Sequence, residues 1–158
     1  MISLLEDSYT LALLWFLMME QRFAGNVRLR ECYTQFMEDY EQLGHIEECP
    51  RIIGPQFFLP HHAILHPESS TIKIRVVFDG SSKGASKLSL NDILHSGHTV
   101  QPPLLTTVIN FQMPLFVITT DAEKMFSQVW VHQEDRKFQQ IIRRIDPSGL
   151  LKCYQLKT

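Results

Sequence analysis

A single carboxylate, Asp121, has the residue type and the sequence setting of a metal ligand. The apolar run at residues 115–120 precedes it, and Pro114 marks where that run begins. The run is rich in β-branched and aromatic side chains, so it predicts a buried strand that ends at Asp121. Mg²⁺ takes one or two protein carboxylates and fills its other positions with water and phosphate oxygens. Because an Asp at a strand end more often caps the following turn, this stretch alone leaves both interpretations open.

Two cations alternate with apolar side chains between Thr71 and Phe78, and the period of two predicts a strand with two different faces. The face predicted to pack against the core comprises Ile72, Ile74, Val76 and Phe78. Lys73 and Arg75 share the other face, where arginine can bind a phosphate through two hydrogen bonds and lysine acts as a point charge. This polar face is either a polyanion-binding surface or an ordinary solvated surface.

Three nearby histidines, His61, His62 and His66, raise the question of a metal site. Adjacent residues of an extended chain point to opposite sides, so at most two of the three imidazoles could converge. A zinc site normally needs three or four convergent ligands. A structural or surface role is therefore predicted for these histidines.

Composition limits the possible classes of protein before any motif is considered. The chain has 158 residues, 44% of them hydrophobic, which suits one ordinary domain or part of one. A net charge of −2 excludes a protein that is basic throughout, although a local basic face remains compatible with it. The three cysteines form no CxxC pair and predict neither a disulfide framework nor a zinc site; they are Cys32, Cys49 and Cys153.

The longest apolar run, Leu11 to Met19, is about half the roughly 20 residues that a bilayer span requires. Glu6 and Asp7 precede it, where a signal peptide would carry basic residues. We therefore expect an intracellular protein, cytoplasmic or nuclear, without a signal peptide or a transmembrane segment.

The elements that would position these residues begin with two helices. The first is predicted from Asp7 to Phe23, with Asp7 or Ser8 as its N-cap and with apolar side chains all around its axis. Such a helix is either buried on several sides or presents a patch to a partner. The second is predicted to end near Gly44. Its apolar face comprises Leu29, Tyr33, Phe36, Met37, Tyr40 and Leu43.

The rest of the chain is predicted to mix strands with short helices. Ala63–Leu65 and Thr71–Phe78 form a predicted hairpin, followed by a flexible basic loop at 81–87. Residues 102–111 predict a helix with Leu104, Leu105, Val108 and Ile109 on a buried face. The further predicted elements are residues 57–59 packed on the core, order resuming at 89–92, a helical turn at 133–138, and a hairpin of 139–145 with 150–156.

Five segments, in their order and spacing, closely resemble the reverse transcriptase of Pao/BEL-type LTR retrotransposons. They are Leu59-Pro-His-His-Ala63, Lys73-Ile-Arg-Val-Val-Phe-Asp79, Ser89-Leu-Asn-Asp92, Asp121-Ala-Glu-Lys-Met-Phe126 and Gln128-Val-Trp-Val-His-Gln-Glu-Asp-Arg136. The similarity extends from about Leu5 to Thr158. It implies an α+β fold that is a fragment of a right-hand polymerase. Its parts would be an N-terminal helical segment at 1–44, a fingers-like region at 45–112 and a partial palm at 113–158.

The resemblance also implies roles for particular residues. Asp121 matches the first catalytic Asp of the palm, which binds Mg²⁺ together with the backbone carbonyl of Ala122. Phe126 matches the aromatic side chain that stacks under the incoming sugar and excludes a 2′-hydroxyl group. Arg75 matches the fingers arginine that contacts the incoming triphosphate, with Lys73 as a nearby helper. The implied partners are a nucleic-acid template-primer and a dNTP, and the implied reaction is two-metal nucleotidyl transfer.

Two-metal catalysis needs further carboxylates, which the family supplies from a later Tyr-x-Asp-Asp hairpin, and this sequence has no Asp-Asp pair. We therefore expect a truncated reverse transcriptase that is inactive alone, poorly soluble, and prone to bind missing polymerase portions or to self-associate through exposed apolar surface. One alternative is a non-catalytic nucleic-acid-binding remnant. Its contacts would be Lys73, Arg75, Lys83 and Lys87. Another alternative is a fossil reading frame with no selected role.

Overall fold

The computed structural model of the chain shows a mixed α+β fold in which helices come first and antiparallel strands follow. The residues described are 2–49, 54–66, 68, 74–85, 87–95, 97–99, 101–120 and 124–158, without the side chains of 2–6 and 126. The predicted α+β class is therefore confirmed.

The first helix, α1, spans Ile2–Gly25 and buries a single stripe of its surface. The stripe consists of Ala12, Phe16, Met19 and Phe23, which recur at the helical spacing of one face. Other apolar side chains of α1, such as Met18, are exposed. The predicted N-cap is wrong because the helix begins before Asp7. Ser8 instead lies buried within α1, and its hydroxyl accepts a hydrogen bond from the backbone N–H of Phe58 at 3.2 Å.

The second helix, α2, spans Val27–Gln42 and begins at an asparagine cap. The side chain of Asn26 accepts a hydrogen bond from the N–H of Leu29 at 3.0 Å, which satisfies one of the unpaired donors of the first turn. Gly44 follows the helix with φ of 77°, a left-handed conformation that glycine adopts without steric cost. The predicted stop is thus confirmed, whereas Leu43 is exposed and does not belong to the buried face.

The described strands form two antiparallel sheets. One sheet has three strands in the order β1-β5-β4, where β1 is Ile46–Glu48, β4 is Gln140–Arg143 and β5 is Lys152–Leu156. The predicted hairpin of β4 and β5 is confirmed. The pairing of β1 with β5 was not predicted, because it joins segments about a hundred residues apart and leaves no local sequence signal.

The other sheet is the predicted hairpin, with β2 at His61–Leu65 and β3 at Ile74–Phe78. Ile74, Val76 and Phe78 pack against the hydrophobic core, and Arg75 is exposed on the opposite face. The predicted separation of faces is confirmed for these residues, while Ile72 and Lys73 lie outside the described residues.

The core lies between the two helices and the two sheets. It is formed by side chains from nearly every element, including Phe16, Tyr33, Met37, Ile46, Ala63, Ile141 and Tyr154. The segment Phe57 to Leu59 is buried beside it, as predicted, and Phe58 forms an isolated parallel bridge with Gln140. This bridge covers part of the outer edge of β4.

The segment from residue 104 to residue 120 contradicts two predictions. The predicted helix is present as α4, Leu104–Gln112, but none of its residues is buried. The predicted buried strand at 115–120 is absent: these residues form no strand and are exposed. The physical reason is the lack of a partner, since the neighbouring strands hydrogen-bond to one another and, among the described strands, none pairs with this run.

Short elements complete the described chain. The helix α3, Leu90–Ile93, begins with a capping box in which Ser89 and Asp92 satisfy each other's backbone N–H groups, so order resumes here as predicted. A 3₁₀ turn at Arg136–Phe138 confirms the predicted helical turn, and another spans Met125–Gln128. In the turn after β4, the Asp146 carboxylate accepts a hydrogen bond from the N–H of Ser148 at 3.1 Å.

Candidate nucleotide-binding surface

Arg75 lies on the outer face of the β2–β3 hairpin, which the rest of the fold holds in place. It stands opposite Ile64 in the ladder and is exposed. The inner face of the same hairpin packs on the helices through Ala63 and Val76. Among the described residues, nothing forms an ion pair or hydrogen bond with the guanidinium of Arg75. As far as the described residues show, this cation is exposed on a hairpin that packs on both helices, an arrangement that suits contact with an anionic ligand.

The basic loop after β3 differs from this arrangement. Lys83 forms an ion pair with Asp92, with 3.1 Å between Nζ and Oδ2, so its charge is partly neutralised. Hydrogen bonds from Ser89, followed by the bond from Lys83, lower the pKa of Asp92. Lys87 is exposed, with φ of 59°. Arg75 precedes the end of β3 by three residues, roughly 10 Å of strand, so the loop and Arg75 do not form one tight cluster.

The remaining predicted site residues fall where the structure gives little or no description. Lys73, Asp121 and Ala122 lie outside the described residues. The backbone at Phe126 belongs to the 3₁₀ turn Met125–Gln128, and its side chain is not described. In the described part of the chain, no group of three or more His, Cys, Asp or Glu could hold a metal ion. The Mg²⁺ prediction rests on Asp121 and the carbonyl of Ala122, which lie outside the described residues, so it stays a prediction.

A buried polar cluster was missed by the sequence analysis. The hydroxyl of Tyr33 and Nε2 of His61 are 2.8 Å apart, and both side chains are buried. Burial, with Arg143 and His62 nearby, lowers the pKa of His61 to about 3, so the imidazole is neutral at pH 7. Burial also raises the pKa of Tyr33. The predicted structural role of His61 agrees with this environment.

Arg143 at the end of β4 is the most unusual member of this region, because arginine is seldom buried without a partner. Its side chain lies over the ring of Tyr154, with 4.9 Å from Cζ to the ring centroid. Its Nη1 is 4.0 Å from the carboxylate of Glu41, and neither Nε nor Nη1 has a hydrogen-bond partner among the described residues. No sequence pattern distinguished Arg143 from the less buried Arg144, whose guanidinium bonds the carboxylate of Glu20.

Arg143 and Tyr154 lie on one face of the three-stranded sheet, and the opposite face carries an ion-pair network around Glu47. Its carboxylate accepts a hydrogen bond from Gln155 at 2.6 Å and pairs with Lys157 at 3.2 Å and Arg136 at 3.5 Å. The bond from Gln155, followed by the interactions with Lys157 and Arg136, lowers the pKa of Glu47. Gln140 lies opposite Gln155 on this face and is buried, and its side-chain amide has no hydrogen-bond partner among the described residues. The contacts around Glu47 are ion pairs and hydrogen bonds within the fold, and they bring together no acid and base that could act on a substrate.

Within the described residues, no helix has both the length and the apolar character needed to cross a membrane. Comparisons with protein-family models, with curated proteins and with solved structures found no match. The fold places the chain in the α+β class. Its candidate binding residue is Arg75, which is exposed on the outer face of the β2–β3 hairpin.

Proposed function

We propose that the chain is a reverse-transcriptase-like protein of retrotransposon origin, a fragment with fingers and partial palm. In this proposal the β2–β3 hairpin contacts phosphate groups of a template-primer or a nucleotide. The observation that carries it is the exposed guanidinium of Arg75 on a hairpin whose opposite face packs on α1 and α2. Arginine suits phosphate because its planar fork donates two parallel hydrogen bonds.

The binding part of the proposal is tested with a fluorescently labelled RNA–DNA hybrid oligonucleotide and anisotropy titrations at several salt concentrations. Arg75→Met is expected to weaken binding and to reduce the slope of log K against log salt by about one, the effect of one lost phosphate contact. The matched control is Arg30→Met, which removes an exposed guanidinium from α2. Absence of binding at low salt, or an equal effect of both substitutions, would overturn the proposed contact.

The catalytic part of the proposal is tested separately by primer extension on an RNA template in buffer with Mg²⁺. We expect no extension from the chain alone, because it has no Asp-Asp pair to add to the carboxylate of Asp121. Extension that disappears in Asp121→Asn would contradict the expected inactivity and assign a catalytic role to Asp121. Extension that persists in this variant would come from a contaminating polymerase and would leave the expectation standing.

A non-catalytic nucleic-acid-binding remnant is the second candidate, and the exposure of Lys87 beside the Lys83–Asp92 pair favours it. Such a remnant binds single strands and hybrids through charge alone, so the loop contributes as much as Arg75. Lys87→Gln is then expected to reduce the salt slope by about one as well. An unchanged slope in Lys87→Gln would confine the contact to the hairpin.

A further inference from the structure

Cys49 and Cys153 lie opposite each other across the pairing of β1 with β5. The ladder pairs Glu47 with Gln155 and Glu48 with Tyr154, so the next pair in register is Cys49 with Cys153. The backbone confirms this register, because the N–H of Cys49 donates to the carbonyl of Cys153 at 2.8 Å. Directly opposed residues of an antiparallel pair project from the same face of the sheet. The two thiols therefore share one face.

The Cα spacing permits a covalent bond between them. Opposed residues in a hydrogen-bonded antiparallel pair have Cα atoms about 5.5 Å apart, inside the range of roughly 4.4 to 6.8 Å that disulfides span. The Cβ atoms of such a pair are also about 5.5 Å apart and a disulfide needs them at roughly 3.5 to 4.5 Å, so closing the bond requires a small local shift at the end of β1. Both cysteines are free and half-buried. We propose that Cys49 and Cys153 are a redox-active pair that closes to a disulfide in the presence of an oxidised low-molecular-weight disulfide such as glutathione disulfide.

The exchange proceeds in two balanced steps. One cysteine loses its proton, its thiolate attacks a sulfur of glutathione disulfide, and the S–S bond breaks to release one glutathione thiolate. The second cysteine then loses its proton and attacks the protein sulfur of the mixed disulfide, which releases the second glutathione thiolate. The protein loses two protons and two electrons, and the reagent is reduced to two thiols.

The surroundings of the pair make this reaction slow at neutral pH. Burial, the neighbouring Cys153 thiol and the carboxylates of Glu47 and Glu48 raise the pKa of Cys49 to about 12. Burial raises the pKa of Cys153 as well. Because only the thiolate attacks, the small thiolate fraction limits the rate without changing the position of equilibrium. The experiment therefore follows the reaction until the thiol content is constant.

The consequence for the fold is a covalent link between two segments far apart in sequence. Without the bond, the three-residue strand β1 is held by its ladder to β5 and by ion pairs such as Lys152–Glu48, with 2.7 Å between Nζ and Oε2. A disulfide closes a long loop and restricts the unfolded chain. We therefore expect the thermal midpoint of the oxidised chain to rise, and to return to its starting value on reduction.

The test uses the full chain equilibrated with glutathione disulfide, then alkylated, digested and analysed by mass spectrometry. We expect a peptide pair joined through Cys49 and Cys153, with Cys32 outside the cross-link as a free thiol or a glutathione mixed disulfide. The matched control is Cys32→Ser, which removes a cysteine on α2 and should leave the cross-link intact. Cys153→Ser should abolish the cross-link and its thermal shift.

Three outcomes would overturn the proposal. They are reduced thiols at both Cys49 and Cys153 at equilibrium, stable glutathione adducts on Cys49 or Cys153 that do not close to a protein disulfide, and a cross-link that includes Cys32. The wild-type digestion alone distinguishes all of these, so the result does not depend on the folding of a serine variant.

Discussion

The strand β4 and the run at 115–120 are two short segments of similar length that differ in burial. β4 contains a glutamine and an arginine, yet all four of its residues are buried. The run at 115–120 has no charged residue, yet its side chains are exposed, with Ile118 at 93%. The more polar segment is therefore the one inside the protein. Apolar content does not decide burial here.

Backbone hydrogen bonding explains the difference. β4 pairs with β5 on one edge, and on the other edge Gln140 donates to the carbonyl of Phe57 and accepts from the N–H of Leu59, so most of its backbone groups have partners away from water. The run at 115–120 has no ladder partner among the described strands. Burying it would leave polar backbone groups unpaired, at roughly 1–3 kcal/mol for each group. Exposure to water avoids this cost and leaves the apolar side chains solvated.

The comparison is tested most directly with two isoleucines. Ile141→Ala in β4 removes a fully buried side chain and is expected to lower the free energy of unfolding by about 2–5 kcal/mol, because it leaves a cavity. Ile118→Ala makes the same chemical change on the exposed run and is expected to alter it by less than about 0.5 kcal/mol. Urea denaturation followed by circular dichroism measures both. Similar losses would mean that the run at 115–120 is packed in solution.

A buried and an exposed histidine extend the comparison to pH. His61 has a pKa of about 3 when folded and an ordinary value near 6.5 when unfolded, so the unfolded chain binds the additional proton between these values. Its contribution to stability is complete above pH 6.5 and is lost as the pH falls towards 3. Between about pH 7 and pH 5 the loss is about 2 kcal/mol.

The measurement is the free energy of unfolding from urea titrations at both pH values. His61→Gln lacks the titrating group and is expected to show a smaller loss than the wild type between about pH 7 and pH 5. The control, His98→Gln, replaces an exposed imidazole and should retain the full loss. If His61→Gln and His98→Gln showed the same dependence on pH, the acid sensitivity would come from another group.

These contrasts also show which features a sequence can predict. The alternation at 74–78 predicted a strand with Arg75 exposed, because β2 precedes it by only a few residues in sequence and supplies the ladder. The same kind of reasoning failed at 115–120, since an apolar run carries no information about a distant hydrogen-bond partner. Local pairing could be predicted, and the pairing of β1 with β5 could not.

The candidate site divides in the same way. The exposure of Arg75 follows from the period of its strand, whereas the burial of Arg143 depends on distant partners, Glu41 of α2 and Tyr154 of β5. The contact of Tyr33 with His61 joins residues 28 positions apart, and neither carries a local pattern that indicates the other. Arginine side chains are mostly exposed in folded proteins, so nothing in the sequence predicted that Arg143 is buried.

Replacing Arg143 is expected to stabilise the fold, whereas replacing Ile141 is expected to destabilise it. The ion pair of Arg143 with Glu41 is long, at 4.0 Å, and the buried Nε and Nη1 have no hydrogen-bond partner among the described residues. The cost of taking the guanidinium out of water therefore exceeds the gain from its contacts, and Arg143→Met is expected to raise the free energy of unfolding by about 1 kcal/mol. Methionine retains a favourable contact with the ring of Tyr154. The control is Arg136→Met, which removes a hydrogen bond to the carbonyl of Val131 at 3.1 Å and should lower stability. Urea denaturation measures both variants, and a clear loss in Arg143→Met would mean that the contacts with Glu41 and Tyr154 outweigh the cost of burying the guanidinium.

The smallest effect on stability and the clearest effect on association are expected at Leu115. This side chain is 89% exposed within a stretch, 99–120, that contains no ionisable residue. Other apolar side chains of residues 104–118 are exposed as well, and exposed apolar surface promotes association when it is contiguous. Leu115→Lys is therefore expected to change the free energy of unfolding by less than about 0.5 kcal/mol and to reduce self-association measured by sedimentation velocity.

Leu150 provides the matched control, because it is 87% exposed in the turn between β4 and β5 and lies close to charged residues. Leu150→Lys adds the same charge to the chain and leaves the exposed apolar side chains of residues 104–118 unchanged. If net charge alone governed association, both lysine variants would sediment alike. If the apolar surface governs it, only Leu115→Lys becomes more monomeric, and a wild-type chain that is already monomeric at every concentration would contradict this role for the exposed run.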